Sequence, residues 1–426
     1  MNKFFKKAFL LTKSATARDT YVLFLGNLGS AFLGFLFTFF VARALNREDF
    51  GIFSAAMNLV VIISSLSDVG ITTGLVNFIS ESDSEGNEKK SLEYQKAGLT
   101  IRVGIILILT TLIIIFSPYI SKLMLATTDP FVAIWAAIVS LVSFVPMYFP
   151  YILQARKQFL KSVIVDNTYY LFRLIGLLGL IYFGAMTLYT SLSTAIVGFV
   201  FSLIASISLL KFKFLFSRPE KNIYTSLIKF SGWIGVNRII SSISGRLDIQ
   251  MLASMAGATT TALYSIPARL SSIVIILTSS FSAVLAPRFA SMGDKEREKK
   301  YLIKSCFALL PIILIILVWV IMAKPFMQVI FPNYIDSVPV FQALTLSMIP
   351  FILTAPSVVV IIYAMKKNVY IGAYSFFQIV AIFILNWIFI PKFGPFGPTL
   401  TFGITNTILA IYTWVIVIKH YWGQEK

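Results

Sequence analysis

The sequence predicts an all-α polytopic membrane protein, with about 12 transmembrane helices in two pseudo-symmetric six-helix bundles around a central cavity. Three observations lead to this fold class. Hydrophobic residues make up 58% of the 426 residues and charged residues only 13%, whereas a soluble domain carries about 25% charged residues. Apolar runs long enough to cross about 30 Å of hydrocarbon recur along the chain. The two halves of the sequence also repeat each other.

The apolar runs predict twelve membrane spans. A helix rises about 1.5 Å per residue, so a span needs near 20 predominantly apolar residues. The predicted spans are Tyr21–Ala42, Gly51–Ile71, Leu99–Ile120, Phe131–Leu153, Ser162–Phe183, Leu188–Leu210, Ser226–Met255, Thr260–Leu285, Leu302–Ala323, Val338–Tyr363, Val369–Ile390 and Pro395–Ile418.

The distribution of Lys and Arg predicts the orientation of the chain. An even number of spans puts both termini on one side, and the loops of that side hold most of the 36 basic residues. By the positive-inside rule both termini are cytoplasmic, in a multi-pass protein of the cytoplasmic (inner) cell membrane. The net charge of +18 then predicts attraction to anionic membrane lipids and requires no nucleic acid.

The first 19 residues are predicted to form an interfacial amphipathic helix. They start with a basic stretch, but the apolar run from Ala8 to Leu11 is shorter than a signal peptide requires. A single cysteine, Cys306, excludes an internal disulfide framework and cannot alone build a metal site. No metal site and no cofactor are expected.

An internal repeat predicts the domain organisation. The segment that begins at Ala42 aligns without gaps on the segment that begins at Ala253, pairing Phe53 with Tyr264. Because each half has an even number of spans, the two repeats are parallel and not inverted. The predicted domains are an N-terminal six-helix bundle at 20–211, a cytoplasmic linker at 212–225 and a C-terminal six-helix bundle at 226–426.

Several short motifs, taken in order, resemble those of the oligosaccharide flippases of the polysaccharide biosynthesis family, within the multidrug/oligosaccharidyl-lipid/polysaccharide exporter superfamily. The motifs are Ala42-Arg43-Ala44-Leu45, the segment 48–54, Asp68-Val69-Gly70-Ile71, the helix with Asp248, Ala262-Leu263-Tyr264-Ser265 and the segment 390–397.

The resemblance implies a transporter and not an enzyme. Its cargo would be a polyprenyl-pyrophosphate-linked oligosaccharide, flipped from the inner to the outer leaflet by alternating access. Such a cargo serves the assembly of surface polysaccharides such as O-antigen or capsule. The implied partners are the lipid-linked oligosaccharide and other polysaccharide-assembly membrane proteins.

Charged residues within the apolar spans are the candidate site residues, because ionisable groups at membrane depth are costly and mark binding sites. A guanidinium group binds phosphate oxygens bidentately and stays charged at any depth. The candidates for binding an anionic pyrophosphate are Arg238, Arg269, Arg246 and Arg43. Asp248 and Asp68 are predicted to be coupling or structural charges, and no catalytic residue is predicted.

These charges also have structural interpretations, which the sequence leaves open. Arg246 can extend to the lipid headgroups, and Arg43 can belong to a solvated turn. Asp248 can pair with an arginine of a neighbouring helix. Arg173, midway along the fifth span, can join a structural network with Asp166.

Two other functions compete with the flippase. A cation-coupled exporter of drugs or small solutes would depend on acids such as Asp68 and Asp248. A membrane glycosyltransferase, polymerase or ligase would need a large outer loop that carries carboxylates, histidine or a metal site. The predicted outer loops are at most about 16 residues long, within the range of ordinary connections.

Overall fold

The computed structural model describes residues 15–210 and 212–423, and these residues form helices joined by short turns, with no strand among them. The prediction of an all-α polytopic membrane fold is confirmed. Residues 1–14 of the predicted interfacial helix lie outside the described residues. The α-helices are α1 Ala15–Ala44, α2 Arg47–Asp68, α3 Ile71–Ser84, α4 Glu88–Ile115, α5 Ser117–Met124, α6 Pro130–Ser143, α7 Phe149–Ala155, α8 Phe159–Tyr182, α9 Leu188–Leu209, α10 Lys221–Ser244, α11 Leu247–Ala290, α12 Lys295–Phe307, α13 Leu310–Ile321, α14 Ala323–Ile330, α15 Val338–Ser347, α16 Ile349–Val359, α17 Asn368–Phe393 and α18 Phe396–Trp422.

Ten helices in the described residues are long and apolar enough to cross a membrane, and two differences account for the two further spans that were predicted. The predicted span Phe131–Leu153 is broken between α6 and α7. Pro146 and Pro150 fall in and beside this break, and proline can neither donate a backbone hydrogen bond nor fit a helix interior without a kink. The eighth predicted span, Thr260–Leu285, and the second part of the seventh, Ser226–Met255, fall within one apolar stretch of 53 residues, Arg238–Ala290.

The boundary between these two spans was also predicted wrongly. The seventh span was expected to reach Met255, but α10 ends at Ser244 and α11 begins at Leu247. A second interruption lies inside α11 at Gly257, which adopts φ 82° and ψ 176°. Only glycine adopts such a conformation readily. The apolar composition continues through both breaks, which is why the hydropathy pattern did not locate them.

The chain packs as two compact units. The core of unit 1 joins α3 and α4 to α7 through buried residues such as Leu75, Tyr94 and Ile152. One core of unit 2 joins α11 to α16 and α17, and a second joins the end of α11 to α12 and α18. Unit 1 comprises residues up to Asn46, Ala56–Ser121 and Thr128–Ile239; unit 2 comprises Arg47–Ala55, Lys122–Thr127 and the residues from Ile240.

The segment predicted as a linker, 212–225, contains a 3-10 helix at Phe212–Phe216 and the start of α10. Phe214 is fully buried, and its ring lies 6.4 Å from that of Phe149 in unit 1. The contacts of α10 assign its residues up to Ile239 to unit 1 as well. Arg238 therefore belongs to unit 1.

Candidate functional site

Four polar residues of unit 1 form one charged group, which we call the Asp68 cluster: Asp68, Thr72, Arg102 and Arg238. Nη1 of Arg238 lies 2.7 Å from Oδ2 of Asp68 and donates to Oγ1 of Thr72 at 2.8 Å. Nη1 of Arg102 lies 3.7 Å from Oδ1 of Asp68. Two guanidinium groups therefore flank one carboxylate, and the cluster carries one positive charge in excess.

The sequence between α2 and α3 fixes the position of the carboxylate. Asp68 ends α2, and its side chain accepts hydrogen bonds from the backbone N–H of Thr72 at 3.1 Å and from its hydroxyl at 3.0 Å. Val69 and Gly70 form the connecting turn with φ values of 40° and 75°. The N–H groups of a first helical turn lack partners within the helix, so the carboxylate of Asp68 stabilises the start of α3.

A close backbone approach brings Arg238 to this turn. A Cβ atom on Gly235 would lie 2.4 Å from the carbonyl oxygen of Val69, and a Cβ on Gly70 would lie 2.8 Å from the backbone nitrogen of Gly235. Both positions therefore need glycine. Arg238 follows Gly235 by less than one turn of α10, so its side chain reaches Asp68.

Arg238 is the accessible arginine of the cluster. Its side chain is 43% exposed, whereas that of Asp68 is 13% exposed. Both hydrogen bonds that Arg238 makes within the described residues use Nη1. Nε and Nη2 can therefore make the first contact with an incoming anion.

Arg102 is the buried arginine of the cluster. Its side chain is 1% exposed, and Nη1 donates to the carbonyl oxygen of Met147 at 3.0 Å, inside the break between α6 and α7. The guanidinium carbon lies 5.6 Å from the ring centre of Tyr148. Nε and Nη2 have no hydrogen-bond partner in the part of the chain that the structure describes. Tyr151 of α7 is within electrostatic range of both arginines and Asp68.

In unit 2, Asp248 is held by hydrogen bonds. Oδ1 accepts from the backbone N–H of Ile249 and Oδ2 accepts from the hydroxyl of Tyr264, each at 2.7 Å. Arg246 precedes the first residue of α11 and interacts electrostatically with Asp248. These contacts agree with a structural role for Asp248 and leave its role in coupling a prediction.

Two other predicted site residues are exposed. Arg269 lies on α11 two residues after Pro267. Arg43 lies near the end of α1 with its guanidinium carbon 4.6 Å from the ring centre of Phe39. The structure thus brings Arg238 and Asp68 together, and separately Arg246 and Asp248.

The contacts that the structure shows for Arg173 join it to groups other than Asp166, and the structural network of the two residues stays a prediction. The guanidinium carbon of Arg173 lies 3.9 Å from the ring centre of Phe37, and its nitrogens approach the hydroxyl of Tyr169 and the sulfur of Met57. The spacing of two helical turns along α8 is too long for a direct contact with Asp166.

Comparison with known proteins identifies the family. A family model described as "Polysaccharide biosynthesis protein" matches residues 16–293. The chain belongs to the polysaccharide biosynthesis protein family. Stage V sporulation protein B of Bacillus subtilis (strain 168) is 24% identical to this family member over 127 residues, which cover 29% of the chain and 24% of that relative. The match thus spans about a quarter of the relative's length.

Two solved structures show the fold of this polysaccharide biosynthesis protein. An inward-facing multidrug resistance MATE family transporter of the MOP superfamily superimposes with a TM-score of 0.78 at 12% identity, over 92% of this chain and 94% of that chain. Lipid II flippase MurJ, in an inward closed conformation, gives 0.73 at 17% identity, over 93% and 87%. The resemblance that the motifs indicated is confirmed, and the two solved structures are those of a transporter and a flippase, as expected, and not of enzymes.

Sequence reasoning missed Arg102 in this family member. Arg102 lies close to the start of the predicted span Leu99–Ile120, and it was assigned with its neighbours to the cytoplasmic face. Its immediate neighbours, Ile101 and Val103, are both apolar. That apolar setting was the available signal that Arg102 is buried within the span.

Proposed function

We propose that this protein flips a polyprenyl-pyrophosphate-linked oligosaccharide from the inner to the outer leaflet by alternating access, for surface polysaccharide assembly. The observation that carries the proposal is Arg238. It lies at the start of the apolar stretch Arg238–Ala290, is 43% exposed, and uses only Nη1 for its hydrogen bonds within the described residues. The family description and the fold shared with a lipid II flippase support a lipid-linked cargo.

The chemistry of a pyrophosphate matches this guanidinium group. Nε and Nη2 of an arginine form a planar pair of donors, which binds two phosphate oxygens at once. The attraction is stronger at membrane depth than in water, because the surrounding dielectric constant is lower. Before cargo binds, Asp68 keeps Arg238 oriented, and Nε and Nη2 remain available to the phosphate.

The other predicted arginines are proposed as secondary contacts for the anionic group. Arg269 and Arg43 are exposed, so each can meet a phosphate during its passage. Arg246 interacts with Asp248, so a phosphate that binds Arg246 competes with that carboxylate.

The protein is proposed to work in the cell membrane beside lipid and protein partners. Both termini lie on the cytoplasmic side of the cell membrane, and the lysines of α12 bind anionic lipid headgroups. The cargo serves O-antigen or capsule assembly, and the enzymes that build and polymerise it are partners in the same membrane.

A cation-coupled exporter is the second candidate, favoured by the fold shared with a multidrug resistance MATE family transporter. In such an exporter, the residue that couples transport to the cation would be Asp248, which the hydroxyl of Tyr264 orients. The two functions differ in cargo, since an exporter of cationic drugs would gain nothing from an exposed arginine.

The test uses the full-length protein in liposomes with a fluorescent pyrophosphate-linked oligosaccharide. Transfer between leaflets is followed by the access of an added lectin. We expect Arg238→Ala to slow transfer about tenfold or more, because a charge-assisted hydrogen bond contributes about 1.5–3 kcal/mol. Arg297→Ala is the control, since Arg297 is 82% exposed on α12. Equal transfer by both variants, or drug transport without lipid transfer, contradicts the proposal.

A further inference from the structure

We propose that Asp68 competes with the cargo phosphate for Arg238, and that Arg102 receives the Asp68 carboxylate while cargo is bound. This inference rests on the proposed function and concerns how the same site releases its cargo. It assigns Asp68 as the residue that limits affinity and Arg102 as a positioning residue.

The first observation is the incomplete pairing of Arg102. Its side chain is 1% exposed, and within the described residues it makes one hydrogen bond, from Nη1 to the carbonyl oxygen of Met147. Nε and Nη2 lack partners within the described residues. A buried guanidinium group is stable only when its charge and its donors are compensated. Arg102 therefore has unused capacity to bind a carboxylate.

The second observation is that Asp68 is shared. Oδ2 binds Arg238 at 2.7 Å, and Oδ1 lies 3.7 Å from Nη1 of Arg102. The separation from Arg102 exceeds a charge-assisted hydrogen bond, about 2.7–2.9 Å, by roughly 1 Å. A small rotation of the carboxylate exchanges one arginine for the other. Thr72 donates to both oxygens and holds the carboxylate between them.

The exchange makes cargo binding reversible. A phosphate that takes Arg238 would leave Asp68 without that partner at membrane depth, where an unpaired carboxylate is costly. Arg102 removes this penalty, so binding remains possible. The Asp68 carboxylate stays next to Arg238 at a high effective concentration, which favours release of the cargo. When the cargo leaves, Asp68 binds Arg238 again. If the ion pair between Asp68 and Arg238 served only to hold α10 in place, Asp68 would not compete with the cargo.

The test measures the binding of a polyprenyl pyrophosphate to the purified full-length protein in detergent. Asp68→Asn keeps the shape of the side chain and removes its charge. We expect binding about tenfold tighter than that of the native protein and slower lipid transfer at saturating cargo, because the competitor is gone. Arg238→Ala is measured in parallel and is expected to weaken binding.

A double-variant cycle tests the role of Arg102. We expect Arg102→Gln to weaken binding in the native background and to change it little in the Asp68→Asn background, since no charged carboxylate then needs a partner. If Arg102→Gln does not fold, the Asp68→Asn result decides alone. Unchanged or weaker binding by Asp68→Asn, with binding lost in Arg238→Ala, overturns the exchange and leaves the proposed function standing. Unchanged binding in both variants contradicts the site itself.

Discussion

Asp68 and Arg238 lie 170 residues apart in the sequence, yet Oδ2 of one and Nη1 of the other are separated by 2.7 Å. The contact depends on the backbone approach between the Val69–Gly70 turn and Gly235. A second arginine, Arg102, reaches the same carboxylate from α4.

Gly235 should tolerate no side chain. Its Cβ would lie 2.4 Å from the carbonyl oxygen of Val69, and such overpacking costs about 1–3 kcal/mol. We expect Gly235→Ala to lower the unfolding free energy in mixed micelles and to slow cargo transfer, because Arg238 moves away from Asp68. Gly232→Ala on the same helix is the matched control, since nothing described lies within 4 Å of its Cβ. Equal stability of the two variants would show that α10 does not pack as described.

Tyr264→Phe should destabilise unit 2. The hydroxyl of Tyr264 donates to Asp248 at 2.7 Å, and the side chain is buried. Its loss leaves a carboxylate oxygen without a partner, at an expected cost of about 1–3 kcal/mol. Tyr334→Phe is the control, because the buried hydroxyl of Tyr334 has no hydrogen-bond partner within the described residues. A larger stability loss in Tyr334→Phe than in Tyr264→Phe would contradict this account of Asp248.

Arg173→Met should leave lipid transfer unchanged and the stability equal or higher. Arg173 packs on Phe37 and Met57, and its Nε has no partner within the described residues. Replacing an incompletely paired buried charge by an apolar side chain of similar length is often neutral or stabilising by about 1–4 kcal/mol. The checks are thermal unfolding in detergent and the liposome transfer assay. A strong loss of transfer in a folded variant would assign Arg173 to the transport path.

Arg269→Gln should slow transfer of the pyrophosphate-linked cargo less than Arg238→Ala does. Arg269 is exposed, and exposed charge pairs contribute about 0–1 kcal/mol. Arg288→Gln, at the end of the same helix, provides the control, since the guanidinium of Arg288 donates to the hydroxyl of Tyr301 at 3.1 Å. Transfer rates that are equal in the two variants remove Arg269 from the cargo path.

The sequence predicted the helical membrane fold and the family, because apolar run length and motif order carry that information. It also selected Arg238 and Asp68 individually, since charges in apolar spans are rare. Their contact was not predicted, because a tertiary pair between α2 and α10 leaves no spacing pattern along the chain. Arg102 was missed for a related reason. An arginine near the start of an apolar run can lie at the membrane interface or be buried inside the protein. Only the tertiary packing decides between these two positions.

The most direct test of the central claim compares two cargoes that differ only in charge. The same labelled oligosaccharide is attached to a polyprenyl chain through a pyrophosphate or through a neutral ether, and transfer of each is measured in liposomes. The native protein should prefer the pyrophosphate cargo, and Arg238→Gln should lose most of that preference while it still transfers the neutral cargo. An Arg238→Gln variant that slows both cargoes equally, with the preference intact, would contradict the claim that Arg238 binds the anionic group.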